Sequence, residues 1–319
     1  MVIGCGSIGS RHTKNLKLLG VKDIVLCDTS SSKLKSLGKK IGTTLLYQDH
    51  KKALKENQDI TTAIICTPTS LHLQPAIYLA KRKIHLFIEK PLSNNLKNTK
   101  LLSKIVSSKK IIVMMGHSYI FEKGFQKVKS LLNKKIIGKV FYAVYLQGQY
   151  LLDWHPELNY KIEYTARKDL GGGALLTLTS HSFYLIEWLF GSIKSIHGHI
   201  IDKVGSLKVD VDDSVFLLMK TKNGIIISTL NNFIAPIHQH KLMIEGDKGR
   251  LEYDFVVQKI TVFLKGKKSS VINTKTDNNE RFFKEMKYFL KKLKTDSIDS
   301  NLNLESGINF LKITNNISW

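Results

Sequence analysis

Short apolar runs alternate with helical periodicity over the first third of the chain. Strand-like runs lie at Val2-Ile3, Ile24 to Cys27, Thr44 to Leu46, Thr62 to Cys66, Ile84 to Ile88 and Ile111 to Met115, with helical patterns between them such as Leu71 to Lys81 and Leu96 to Val106. Such alternation predicts a parallel sheet covered by helices on both faces, with ligands bound at the carboxyl ends of its strands. Beyond Gly116 the texture changes. A helix over about Phe125 to Leu132 leads into a long strand, Val140 to Leu146, then an aromatic-rich loop from Tyr150 to Tyr164 and a helix from about Ala174 to Phe190. Strand patterns without intervening helices follow at Ile193 to Ile201, Ser214 to Lys220, Ile225 to Asn231, His240 to Glu245, Gly249 to Asp254 and Lys259 to Phe263. Asn223-Gly224 marks a tight turn between two of them. Helices over about Asn279 to Lys294 and Leu304 to Ile317 close the chain. The expectation is an α/β protein: a doubly wound parallel sheet over residues 1–117, then an α+β domain over 118–319 with an open, mostly antiparallel sheet. The terminal helix is free to pack back on the first domain.

At the first strand-to-helix junction, Gly4-Cys5-Gly6-Ser7-Ile8-Gly9 fits G-x-G-x-x-G, with Leu16, Leu18 and Leu19 on the apolar side of the helix that follows. In such a unit Gly4 allows the tight turn, Gly6 admits a pyrophosphate to the backbone, and Gly9 lets helix and strand pack closely. Ser7 and Ile8 open the helix, whose free N–H groups and partial positive charge favour phosphate. The second apolar run ends in Asp28, placed to accept hydrogen bonds from both hydroxyls of an adenine ribose and to repel a 2′-phosphate. This is the arrangement of a Rossmann unit, and the cofactor expected is NAD. Ser30, Ser31 and Lys33 just beyond Asp28 leave NADP open.

Composition narrows the setting. The 319 residues suffice for two domains, and 43% hydrophobic with 24% charged content suits a globular protein. No apolar run is long enough to span a bilayer, and no basic–apolar–cleavage pattern opens the chain, which predicts no secretory leader. Cys5, Cys27 and Cys66 all fall in or beside strands, with no metal-ligand spacing. They read as buried free thiols of a reducing, cytoplasmic compartment, and no metal is expected. The net charge of +23 suits nucleic acid or an anionic substrate, but the lysines are spread along the whole chain. The densest cluster, Lys287, Lys291, Lys292 and Lys294 around Phe289, Leu290 and Leu293, reads as the wet face of an amphipathic helix. Neither a nucleic-acid nor a membrane partner is expected.

Four further segments carry chemistry. Thr67, Pro68 and His72, in Cys66-Thr67-Pro68-Thr69-Ser70-Leu71-His72, follow the fourth strand and read as cofactor-side residues on a turn and helix cap. Glu89-Lys90-Pro91 ends the fifth strand. Glu89 reads as cofactor-binding, and Lys90 as a group that polarises a hydroxyl or carbonyl, its pKa lowered by burial. Gly171-Gly172-Gly173 opens the long helix of the second domain and allows close approach of a ligand. Thr177 and His181 share one face of that helix, so His181 is a site candidate as well as a structural one. Finally, Tyr150-Leu151-Leu152-Asp153-Trp154-His155-Pro156, with Tyr160, Tyr164 and Arg167, suits sugar stacking and hydrogen bonding, and equally a subunit contact.

Taken in order, Gly-Cys-Gly-Ser-Ile-Gly-Ser-Arg-His, Thr-Pro-Thr-Ser-Leu-His, Glu-Lys-Pro-Leu-Ser and Gly-Gly-Gly ahead of a His resemble the glucose–fructose oxidoreductase / inositol dehydrogenase (Gfo/Idh/MocA) family over nearly the whole chain. The resemblance implies hydride transfer between NAD(P) and a hydroxyl carbon of a sugar, nucleotide-sugar or cyclitol derivative. It also implies a homo-oligomer, dimer or tetramer, built through the open sheet. It puts Lys90 on the catalytic lysine and His181 on the acid/base histidine. Tyr164, Arg167 and Thr177 are expected on the substrate side. The chain departs from the family at Thr177 and Tyr184, where Asp is common, and in Gly116-His117-Ser118-Tyr119-Ile120-Phe121-Glu122, which lacks the usual Asn and Arg. Losing a positioned acid/base partner costs roughly 10²- to 10⁴-fold in rate. The alternative expectation is therefore a non-catalytic NAD-binding sensor or subunit of the same fold.

Overall fold

The computed structural model describes every residue except His155, Leu158, Asp296, Ser318 and Trp319. It divides into two compact units, one comprising Met1–Ser118 and Phe282–Asn315, the other Tyr119–Arg281 with Asn316 and Ile317.

The first unit begins β1 (Val2–Ile3), α1 (Ser7–Leu18), β2 (Leu26–Cys27), α2 (Ser31–Ile41), β3 (Leu46–Tyr47), α3 (His50–Glu56), β4 (Thr62–Ile65), α4 (Leu73–Ala80), β5 (His85–Glu89), α5 (Thr99–Lys109) and β6 (Val113–Gly116). Among the described residues its sheet has the order β3-β2-β1-β4-β5-β6, every pair parallel. Val2, Leu26, Ile65, Leu86, Phe87, Ile88 and Met114 have no or almost no exposed surface, as strands covered on both faces require. The order reverses at β1. Ile3 lies opposite Ile65, and the Cys66 N–H donates to the Ile3 carbonyl at 2.7 Å, so Gly4 and Thr67 leave the sheet side by side. A reversal of this kind opens a crevice for a ligand. Cys5, Cys27 and Cys66 are buried free thiols, and burial pushes Cys5 and Cys27 up to about 12.

The second unit continues with α6 (Lys123–Asn133), β7 (Val140–Gly148), α7 (Ala174–Thr177), α8 (Thr179–Phe190), β8 (Ile193–Asp202), β9 (Ser214–Thr221), β10 (Ile226–Asn232), β11 (Gln239–Gly246), β12 (Gly249–Asp254), β13 (Lys259–Leu264) and β14 (Ser270–Asn273). Its sheet runs β14-β13-β12-β11-β7-β10-β9-β8, with β7 and β10 parallel and the other pairs antiparallel. β14 has no clear sequence signal, because it is an exposed edge strand with only Val271 and Ile272 between polar residues. The expected helix over Ala174 to Phe190 is tightened at Leu178, whose carbonyl accepts the His181 N–H at 3.0 Å. Hydroxyls of Thr177, Ser180 and Ser182 donate back to the carbonyls of Gly173, Thr177 and Thr179 around this point, a bonding pattern that bends helices.

One face of this sheet carries α6, α7 and α8. The other alternates outward. Ile200, Phe216, Leu230 and Leu146 form one cross-strand row, and Leu218, Ser228, Val144 and Met243 the next. Ile200, Phe216, Leu218, Ile226 and Tyr142 are exposed.

After β14 the chain forms α9 (Glu280–Lys292) and α10 (Leu304–Asn315). In α9, Met286 and Phe289 are fully buried while Lys287 and Lys291 face water, the amphipathic pattern expected of the lysine cluster. α10 packs on α5 and β6, and just ahead of it the Leu302 carbonyl accepts the Met115 N–H at 2.7 Å. Among the described residues no helix is long and apolar enough to cross a membrane.

Candidate active site

The first unit brings three loops to the carboxyl ends of β1, β4 and β5. In the first loop Gly4 has φ +93°, and a Cβ there would meet the Cys66 carbonyl at 2.6 Å. A Cβ on Gly9 would fall 1.8 Å from the Gly4 carbonyl oxygen, whereas one on Gly6 would meet nothing within 4 Å. Fold packing therefore demands Gly4 and Gly9, while Gly6 borders open space. α1 starts at Ser7 and Ile8 with no side-chain cap from Gly6, so its first N–H groups remain available to an anion. The hollow in front is lined by Gly6, Ser7, Ser10, Ser32, Lys33 and Lys40, among others. Asp28 beside it accepts the Cys5 N–H at 2.7 Å on one oxygen and the Ser30 N–H at 2.8 Å on the other. Fixed in this way, the carboxylate retains lone pairs for ribose hydroxyls. These residues fit a dinucleotide, with Gly6 and Ser7 toward pyrophosphate and Asp28 toward ribose. Lys33 and Lys40 also suit a 2′-phosphate.

In the second loop Thr67 Oγ1 is buried and has no hydrogen-bond partner among the described residues, the kind of group a bound ligand satisfies. Pro68 is extended (φ −54°, ψ 150°) and Thr69 starts a single 3₁₀ turn. His72 lies beneath, 1% exposed, with Nδ1 2.9 Å from the Pro91 carbonyl and Nε2 2.8 Å from the Thr67 carbonyl. It sits between the second loop and the third, and burial holds its pKa below the usual range, so the neutral ring donates its one N–H to one of the two carbonyls.

The third loop carries Glu89 and Lys90. Glu89 Oε1 lies 2.7 Å from Nε2 of the fully buried His12, and Oε2 accepts the backbone N–H of Lys90 at 3.2 Å. His12 is wedged edge-on against Phe87 and Phe282. The acid is thus held from behind by a histidine and holds the start of the lysine loop. Burial pulls the half-buried Lys90 ammonium down to about 8, against the attraction of Glu89. His117 is buried close by. Desolvation, and then the Lys90 charge, hold its imidazole well below the usual range.

In the second unit the glycine run is filled by protein. A Cβ on Gly172 would lie 2.5 Å from the carbonyl oxygens of Tyr164 and Thr165, and one on Gly173, at φ +97°, would lie 2.2 Å from Asp212 Oδ1. Asp212 caps the helix that follows by accepting the Leu175 N–H at 2.7 Å. Thr177 is 2% exposed, and its hydroxyl donates to the Gly173 carbonyl at 2.6 Å. His181 is half-buried with its ring on Tyr119, centroids 4.6 Å apart. Tyr164 is half-buried in a 3₁₀ turn. The exposed Arg167 guanidinium pairs with Asp169 at 3.0 and 2.6 Å. Trp154 packs edge-on against Phe233, and His155 lies outside the described residues. Among the described residues no group of three or more His, Cys, Asp or Glu side chains is placed to hold a metal ion.

Sequence reasoning missed His12, His117, Tyr119 and Asp212 as neighbours of these groups. His12 and Tyr119 stand inside motifs already singled out. The Asp212 cap joins segments far apart in the chain, and no local signal marks it.

Comparison with known proteins agrees with this fold. Residues 1–117 match a family described as oxidoreductase family, NAD-binding Rossmann fold, and residues 125–252 match the GFO/IDH/MocA C-terminal domain. The chain is 27% identical to a myo-inositol 2-dehydrogenase of Thermotoga maritima over 264 residues, covering 80% of this chain and 75% of that protein. It is 24% identical to an NAD(+)-type scyllo-inositol 2-dehydrogenase of Bacillus subtilis, covering 96% and 91%. A levoglucosan dehydrogenase solved with NADH and L-sorbose has the same fold, with TM-score 0.87 and 19% identity over 99% of this chain and 94% of that one.

Two outcomes follow from this arrangement. Gly9→Ala should destabilise the protein by about 3 kcal/mol or more through its backbone clash. Gly6→Ala should unfold in urea as wild type does and bind NAD at least about tenfold more weakly by titration calorimetry. Equal effects of the two substitutions would contradict the division of roles. The second outcome concerns acid. His72, His117 and His240 are held below their usual pKa in the fold. The unfolded chain therefore takes up protons that the native state refuses, and stability present above about pH 6.5 drains away as pH falls, by about 1.4 kcal/mol per unit for each imidazole. Asp212, raised to about 6, works in the opposite sense but is a single group. Urea midpoints should drop between pH 7.5 and 5.5, and His240→Gln should flatten that slope.

Proposed function

The chain belongs to the Gfo/Idh/MocA family of oxidoreductases, and from that membership we propose that it moves a hydride between a nicotinamide and a secondary hydroxyl carbon of a sugar, nucleotide-sugar or cyclitol derivative. The observation that carries the reading is Lys90, presented at the end of β5 with its pKa lowered to about 8. An amine in that range occupies both protonation states near neutral pH, as general acid/base catalysis requires. Bound NAD supplies the hydride acceptor, or NADH the donor. Residues 1–117 hold the cofactor, chiefly through Gly6, Ser7 and Asp28. In the oxidative direction the free amine of Lys90 takes the hydroxyl proton; in the reductive direction its ammonium returns a proton to the carbonyl oxygen. Glu89, braced by His12, fixes the backbone from which Lys90 projects. Neutral His117 adds no competing charge. His181 is the acid/base partner, and Tyr164, Arg167 and Thr177 serve the substrate side. The inositol and levoglucosan dehydrogenases among the relatives support the substrate class.

A second reading has its own observation. Thr177 offers a hydroxyl bonded to the Gly173 carbonyl, and no carboxylate, one turn before His181. That favours an NAD-binding sensor or subunit in which turnover has been lost. A panel of myo-inositol, scyllo-inositol, levoglucosan and nucleotide sugars, read by NADH absorbance, separates the two. NAD binding with no turnover on any of them would favour the sensor.

The reading extends to assembly and location. The outer sheet face bearing Ile200, Phe216, Leu218 and Ile226 exposes apolar side chains across adjacent strands, and a second copy of this chain would cover it. The three buried free thiols suit a reducing compartment, and we place the protein in the cytoplasm.

Lys90→Ala is expected to lower kcat by about 10²- to 10⁴-fold while leaving NAD affinity within a few-fold of wild type. In the oxidative direction wild-type kcat/KM should rise with pH through about 8 and then level, as the Lys90 amine loses its proton. A flat profile would remove Lys90 from the proton transfer. Phe216→Glu with Leu218→Glu should convert the oligomer to monomer by sedimentation; an unchanged sedimentation coefficient would move the interface elsewhere.

A further inference from the structure

A line of polar contacts runs through the core of the second unit and ends at the ring of His181. His240 Nε2 lies 2.6 Å from Tyr145 Oη, Tyr145 Oη donates to Gln147 Oε1 at 3.0 Å, and Gln147 Nε2 donates to Tyr119 Oη at 3.3 Å. The ring of Tyr119 lies against that of His181 at 4.6 Å and 34°. A tyrosine hydroxyl has one proton to give. Because Tyr145 gives its proton to Gln147, the bond to His240 requires the imidazole to donate from Nε2. Because the Gln147 carbonyl faces Tyr145, its NH₂ faces Tyr119, whose oxygen accepts. Each bond sets the direction of the next. Tyr119 is left with its own proton, and among the described residues its O–H donates no hydrogen bond.

The setting agrees with a donor kept ready. Tyr145, Gln147 and His240 are buried, at 0%, 8% and 1% exposure, whereas Tyr119 is half-buried. Sinking three polar side chains in a core is costly unless each is satisfied, and here each is satisfied by the next. The Arg281 guanidinium lies 5.0 Å from the Tyr119 ring centroid and 5.4 Å from that of Phe255, closing the aromatic cluster around the tyrosine. Burial raises the Tyr119 hydroxyl above the usual tyrosine range, so it keeps its proton at neutral pH.

We propose that Tyr119 is a substrate-contact residue, its hydroxyl donating a hydrogen bond to an oxygen of a neutral polyol or of the matching ketone held at His181, with Gln147, Tyr145 and His240 as positioning residues that set the direction of that bond. The inference rests on the reading of the chain as a dehydrogenase of such compounds. The tilted Tyr119 ring, 4.6 Å away at 34°, also gives His181 an orienting contact that carries no charge.

The test compares wild type, Tyr119→Phe and Gln147→Glu with myo-inositol and levoglucosan as probes and NAD in excess. Tyr119→Phe keeps the ring on His181 and removes only the O–H. Gln147→Glu keeps the shape but, at pH 8, places an acceptor where the donor was, which draws the Tyr119 proton inward. Both should lower kcat/KM by about 10- to 100-fold, mostly through KM, with NADH affinity by fluorescence unchanged. A merely structural glutamine would tolerate its isostere. If wild type turns over a probe and both variants match it, the Tyr119 assignment is overturned while the dehydrogenase reading stands. If wild type binds NADH yet neither binds nor oxidises these probes, scyllo-inositol or nucleotide sugars, both fall. Nitrogen-15 NMR of wild-type His240 tests the line of bonds without a substrate and regardless of whether either variant folds. A proton on Nε2 supports it, and one on Nδ1 overturns it.

Discussion

The parallel pairing of β1 with β4 and of β4 with β5 is the constraint on which the candidate site of the first unit depends. Parallel strands deliver all their carboxyl ends to one side, so the glycine loop, the Thr67 loop and the Lys90 loop emerge together. Pairing alone leaves those loops loose, since their backbones have left the ladder. Two buried imidazoles supply what the ladder does not. His72 spans from Thr67 to Pro91, and His12 holds Glu89, which in turn holds the Lys90 N–H. The same burial that makes these histidines effective clamps keeps charge expensive around them. The lysine they frame is pulled toward neutral pH for the same physical reason.

The second unit organises its candidate residues by different means. Among the described residues helices pack on one face of its sheet, and the other face exposes apolar side chains. Its helix α8 is positioned by the Asp212 cap on the preceding turn and by hydroxyls bonded back along the backbone. The glycines ahead of it exist because the Tyr164–Thr165 turn and Asp212 occupy the space a side chain would need. His181 is then set by an aromatic neighbour, and the tyrosine that flanks it is set by a line of buried amide, hydroxyl and imidazole groups. One turn before His181 the chain carries the Thr177 hydroxyl, bonded to the Gly173 carbonyl.

Much of the fold was legible beforehand, because its signals are local. Alternating apolar runs with G-x-G-x-x-G at the first junction and an acid after the second run predict a Rossmann unit, and the structure has one, although β2 and β3 are shorter than their apolar runs. The strands from β8 to β13 were marked by apolar runs without intervening helices, and in β9 and β11 buried residues alternate with less buried ones. β14 escaped because two apolar residues at a wet edge carry no pattern. The tightening at Leu178 escaped because Thr and Ser side chains back-bond only once the helix exists. The third segment misled in part: Gly171-Gly172-Gly173 signals close approach, but of protein to protein.

By itself the sequence determined most of the strands and helices, that the N-terminal part is a Rossmann unit, and which residue types stand at the ends of β4 and β5. These follow from periodicity, from the backbone freedom of glycine and from spacing along a single strand–helix–strand unit. Only the tertiary structure decided that His12 and His72 clamp the loops, that Arg167 pairs with Asp169, that Asp212 caps α7, and that Gln147, Tyr145 and His240 stand behind Tyr119. Each of those joins side chains from different elements, and a hydrogen bond's direction is set by what its partner has already given or accepted. Residue type says what a group can donate; packing decides to whom.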